Sequence, residues 1–155
     1  MTVDEAIRLF SALLTPLIAI VATYIAWQQW KTNRQKLALD LYERRLHIYQ
    51  EVRKTLGLVM RDGSISLQIL LEFYSSVSEA HFLFGPEIAE YIDEIYKHGT
   101  ELGLLTEERE ENQKHRQEDY DFKKAAAQIH LELAWFVHQS EPAREKFKKY
   151  LRLSA

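Results

Sequence analysis

The sequence predicts an all-α protein: an N-terminal transmembrane helix, then a bundle of about four long helices and a short C-terminal helix. Three observations carry this. Between Arg8 and Lys31 the chain runs 22 residues without a charge. Beyond it, apolar residues recur at the spacing of one helix face in several successive segments. Five Gly and three Pro in 155 residues are too few turn formers for a many-stranded β fold, and no alternating run is bounded by a hairpin turn. The length suits one domain with an anchor, divided here into residues 1–30 as anchor and residues 31–155 as bundle. With 46% hydrophobic and 28% charged residues, wholesale disorder is excluded. The absence of Cys removes disulfides, thiolate metal sites and thiol chemistry.

The uncharged run is LFSALLTPLIAIVATYIAWQQW. As a helix it spans about 33 Å, enough for a hydrocarbon core of roughly 30 Å. Ser11, Thr15 and Thr23 can bond back to the helix, and Pro16 is tolerable within a span. Tyr24, Trp27 and Trp30 cluster at its C-terminal end, where side chains with an apolar body and a polar tip sit at a membrane–water interface. Asp4 and Glu5 precede the run instead of a basic cluster, and the run exceeds the usual 7–15 residues of a cleaved signal peptide. Lys31 and Arg34 follow it, with Lys36 next, against Arg8 alone before it. The excess of positive charge places the N-terminus outside and the C-terminal domain in the cytoplasm.

Residues 35–60 read as one long helix. Leu37, Leu41, Ile48, Val52, Leu56 and Val59 share a broad face, opposite Asp40, Glu43, His47, Glu51 and Lys54. Gly63 is its expected stop, with Ser64 or Ser66 capping the next helix. That second helix, residues 66–84, presents Leu67, Leu70, Leu71, Phe73, Tyr74, Val77 and Phe84. Gly85-Pro86 ends it and opens a third, about 86–104, with Ile88, Tyr91, Ile92, Ile95 and Leu102 inward. Residues 106–119 contain no apolar side chain and read as a charged connector or a solvated extension of the third helix, the connector being preferred. A fourth helix is expected at about 120–139. After Ser140-Glu141-Pro142, a short basic one follows at about 142–152, either closing the bundle or lying on anionic lipid.

Charge is segregated along the chain. Residues 31–61 hold eight Lys/Arg against three Asp/Glu, whereas residues 62–121 hold four against fifteen. Helices whose wet faces differ in sign account for this without a partner. The net charge of −3 argues against a nucleic-acid duplex as partner. Six His are present, but no HExxH and no paired Glu-x-x-His, so no metal site is expected. No Gly-rich phosphate loop and no Gly-x-Ser-x-Gly turn occurs. No catalytic residue, no enzymatic activity and no cofactor are expected. Two residues break the helical pattern. Arg45 falls beside Leu41, Ile48 and Val52, and His81 falls between Tyr74, Val77 and Phe84. A buried cation costs several kcal/mol unless paired. Arg45 and His81 are therefore either part of a structural bridge, with Glu79 or Glu132 as the carboxylate, or the lining of an anion-binding pocket.

The stretch from Gln28-Gln29-Trp30 through KTNRQKLALDLYERRLHIYQ, the FLFGPEI run at residues 82–88 and the terminal KKYLRL together carry a resemblance. The chain resembles a set of uncharacterised bacterial single-span membrane proteins with a cytoplasmic helical domain. The resemblance covers nearly the whole chain and implies an inner-membrane location and an architecture, but no reaction. The expected function is a membrane-anchored, non-enzymatic interaction or regulatory module. Its partners would be the lipid bilayer, a second copy of the chain, and a cytoplasmic protein or an anionic small-molecule ligand. The alternative, by analogy of layout alone, is a membrane effector of an anti-phage system, in which the helical domain senses a cyclic oligonucleotide or other ligand and perturbs the membrane.

Overall fold

The computed structural model describes residues 3–115 and 120–152, with the side chains of residues 3–7, 9–11, 13 and 15 outside that description. Six helices follow one another: α1 (Val3–Asp62), α2 (Leu67–Ser76), α3 (Ala80–Leu83), α4 (Pro86–His115), α5 (Phe122–Val137) and α6 (Ser140–Lys148). No strand occurs among the described residues. The chain divides into two compact units, Met1–Asp40 and Leu41–Ala155.

The first unit is helical throughout its described residues, with Pro16 inside the helix. Its large apolar side chains are exposed, from Leu14 at 44% to Leu37 at 69%.

The second unit is a helical bundle. Ile48, Val52, Leu56 and Val59 of α1, spaced four, four and three apart, are all essentially inaccessible. They share a core with Leu70 and Phe73 of α2, Tyr91, Ile92, Ile95 and Leu102 of α4, Phe136 of α5 and Phe147 of α6. α4 packs against α2, α3, α5 and α6. Leu37 and Leu41, expected on the same buried face of α1, are instead exposed: the periodicity continues beyond the length of helix that the bundle covers.

Local chemistry explains the boundaries. Gly63 ends α1 at φ +66°, a left-handed conformation that costs glycine little. Ser66 caps α2 by accepting from the Ile69 N–H. The single helix expected over residues 66–84 is in fact two, α2 and α3, separated at Val77–Glu79. Ser76 Oγ bonds back to the Phe73 carbonyl at 2.7 Å, and a run rich in serine offers the backbone such alternatives to helix. α4 runs on to His115, so the solvated extension prevails over the connector. Thr106 and Asn112 each bond the carbonyl four residues back, and residues 116–119 lie outside the described residues. Asp121 caps α5 through the N–H groups of Lys123 and Lys124, a cap the sequence reading missed. α6 begins at Ser140, not after Pro142. A proline in the first turn lacks only an N–H that has no helical partner there.

Two glycines let α4 approach α2 and the turn that precedes it. A Cβ on Gly99 would sit 2.5 Å from Leu70 Cδ2, and one on Gly103 would sit 2.8 Å from the Ile65 carbonyl oxygen. The second contact is with backbone, which cannot rotate away.

Candidate functional site

The interface residues expected from the sequence lie on α1 within the first unit. Tyr24, Trp27 and Trp30 are all more than half exposed. The Tyr24 and Trp27 rings are 6.4 Å apart, and Gln28 Nε2 donates to the Tyr24 hydroxyl at 3.2 Å. One turn further on, Lys31 lies over the Trp27 ring at 5.8 Å and Arg34 over the Trp30 ring at 5.5 Å. Aromatic faces carry negative quadrupole density, so each ring holds its cation in place. Thr23 Oγ1 bonds the Ala19 carbonyl at 2.8 Å, so its hydroxyl is satisfied within the helix. Among the described residues no helix is long and apolar enough to cross a membrane. The 22-residue run is only partly within that description, because the side chains of residues 9–11, 13 and 15 are outside it.

The two pattern-breaking residues of the bundle part company. Arg45 is half-buried. Its Nε donates to the Leu83 carbonyl at 3.0 Å and its Nη1 to the Tyr150 carbonyl at 3.4 Å. The guanidinium also lies over the rings of Phe84 and Tyr150, at 5.8 and 5.5 Å. Its anchors are therefore carbonyl dipoles and aromatic faces. The two carboxylates expected as its partners are engaged elsewhere: Glu79 with Arg44 at 3.4 Å, and Glu132 with His98 at 2.7 Å. His81 is exposed. The break at Val77–Glu79 shifts the helical phase, so a residue placed on the buried face of a continuous helix turns outward. Its neighbour Phe82 is 88% exposed.

Arg45 belongs to a larger cluster that the sequence reading missed. The Gly85 N–H donates to the Tyr150 hydroxyl at 3.0 Å, and that hydroxyl donates to Glu87 Oε1 at 2.6 Å. Lys149 also bonds Glu87 Oε1. Glu87 is thereby drawn from its ordinary 4.5 to about 2, by Lys149 first, then by Tyr150 and by its own backbone N–H. Lys149 is raised in turn, chiefly by its hydrogen bond to Glu87. A side chain at Gly85 would collide with the Tyr150 hydroxyl and the Glu87 carboxylate. The positive end of α4 is thus occupied by the chain's own groups. Only the sequence separation of more than 60 residues hid this cluster, since Glu87 and Lys149 each look like ordinary surface charges.

Between α4 and α5, His98 Nδ1 lies 2.7 Å from Glu132 Oε2, and the imidazole stacks on Trp135 at 3.9 Å with 19° between planes. Among the described residues no three His, Asp or Glu come together as metal ligands. No family model, no curated protein and no solved structure matches the chain.

Proposed function

We propose that this chain is a membrane-anchored helical module: α1 holds a bundle at the cytoplasmic face of the bacterial inner membrane, where the bundle engages a partner without catalysing a reaction. One observation carries the proposal. The large apolar side chains of α1 from Leu14 to Ile25 are exposed over about half of the helix, with the exposed Ala19 and Ala22 on the other half, and the run they belong to contains no charge over 22 residues. An amphipathic helix would show one wet stripe; a helix apolar all round needs an apolar surrounding on all of it. At about 25 cal/mol per Å², leaving such a surface in water is costly, and lipid removes that cost. The aromatic residues and cations that follow it match the order found at a membrane–water boundary. The resemblance to single-span bacterial proteins points the same way.

Alkaline carbonate extraction of bacterial membranes carrying the full chain is the test. The chain should stay with the membrane pellet, and a cytoplasm-dependent reporter fused after Ala155 should be active. Release into the supernatant would overturn the anchor, and activity from a periplasm-dependent reporter would overturn the orientation.

A further inference from the structure

The aromatic and cationic residues of α1 do not form a ring around the helix. At about 100° per residue, Tyr24, Trp27, Trp30, Lys31 and Arg34 fall on one side. The same side carries a shallow open groove of about 510 Å³ lined by Ala19, Ile20, Thr23, Tyr24 and Trp27. The small side chains of Ala19 and Thr23 form its floor. Groove, rings and cations together occupy an arc of about 140°. From Ala19 to Arg34 the helix rises about 22 Å, close to the depth of one leaflet with its headgroups. Lys36 lies on the opposite side. No Asp or Glu occurs between Arg8 and Asp40, so nothing in the segment neutralises Lys31 and Arg34.

We propose that this face binds a single anionic phospholipid. The inference rests on the membrane reading above. One acyl chain lies in the groove beside Ala19 and Thr23, the glycerol region meets Trp27 and Trp30, and the phosphate is held by Lys31 and Arg34. Each cation sits over a tryptophan ring, which holds it on the groove side while its remaining N–H donors stay available for phosphate oxygens. Charge selects the headgroup. A neutral lipid fills the groove equally well but gains less from two cations. The apolar groove in line with the cations points to a lipid and not to free phosphate.

Trp27 and Trp30 report on this site directly. The full chain is reconstituted in phosphatidylcholine vesicles containing one-fifth phosphatidylglycerol, with bromine on the acyl chains of one lipid at a time. Tryptophan quenching is then compared with that of a Trp27→Phe/Trp30→Phe chain, which supplies the background from Trp135. Brominated phosphatidylglycerol should quench as if it occupied the site with about fivefold preference over phosphatidylcholine. Lys31→Gln/Arg34→Gln should abolish the enrichment, and Lys36→Gln, across the helix, should leave most of it. Quenching by both lipids in proportion to their amounts would overturn the lipid site while leaving the membrane anchor standing. Equal losses from Lys36→Gln and from the double variant would also overturn it, since diffuse charge would then suffice. Quenching by neither lipid would remove the anchor, and the site with it.

Discussion

The two units use apolar residues in opposite ways along one continuous helix. In the bundle, Ile48, Val52, Leu56 and Val59 form a narrow stripe with almost no exposed surface. In the first unit, Leu17, Ile18, Ile20, Val21 and Ile25 are about half exposed or more, and at about 100° per residue they spread over roughly 160° of the helix. Residue type and backbone are the same in both. The core of the second unit covers one narrow face of α1, whereas the side chains of the first unit are left exposed; lipid, proposed above as their surrounding, would select no face. A helix's hydrophobic pattern therefore records what covers it.

The largest effect should separate the units by truncation. Phe147→Ala removes a buried ring that touches Tyr49 and Phe84, at centroid distances of 5.3 and 5.2 Å. It should cost about 3–5 kcal/mol, seen as a lowered midpoint of thermal unfolding of the detergent-solubilised chain. Leu17→Ala should leave the same midpoint within about 0.5 kcal/mol. Equal losses would erase the contrast between the units.

Within the bundle, Gly103→Ala places a methyl group against the Ile65 carbonyl. The expected cost is about 1–3 kcal/mol, while Gly57→Ala, with open space around it, should be neutral or stabilising. An unchanged midpoint for Gly103→Ala would mean that the turn at Ile65 is not held that close to α4.

Arg45→Ala should lower the midpoint by about 1–3 kcal/mol, less than the roughly 3–5 expected when a buried carboxylate loses its partner. It orphans the Leu83 and Tyr150 carbonyls, not a charge. Arg45→Lys should recover little, because an ammonium reproduces neither the two-pronged donation nor the planar stacking. Full recovery by lysine would show that charge alone matters at this position.

The smallest effect is electrostatic. Glu87 titrates lower in the folded chain than its ordinary 4.5, at about 2. Its contribution is therefore complete above the ordinary value and fades as the pH falls toward 2. Unfolding midpoints measured from roughly pH 5 to pH 2 should fall more steeply for the wild-type chain than for Glu87→Gln. Parallel slopes would remove Glu87 from the account.

Helical periodicity and punctuation made much of the bundle legible. Gly63 and Ser66 marked their turn correctly, and the core positions of α1 beyond Leu41 followed from spacing alone. Three things were hidden. The phase shift at Val77–Glu79 depends on a serine bonding its own backbone, so the place of His81 could not be read from a continuous wheel. The extension of α4 to His115 has no apolar face to announce it, because propensity and local bonds form it and packing does not. The Arg45 cluster joins residues 45, 85, 87 and 150, and one-dimensional spacing carries no information about a meeting across such distances. Arg45 itself was recognisable as an exception, but its carbonyl partners were not, since every residue has a carbonyl.

The hydroxyl of Tyr150 bonds the backbone at Gly85, so synthesis imposes an order on folding at this corner. Residues 41–87 leave the ribosome well before residue 150 does. Until it emerges, the α3–α4 turn lacks its tyrosine, Arg45 lacks one of its two carbonyls, and Phe84 lacks both Phe147 and Tyr150 beside it. A nascent chain stalled anywhere short of that point therefore carries an unfinished corner with an exposed aromatic surface, a natural handle for chaperones and proteases. The arrival of Phe147 and Tyr150 is what withdraws it.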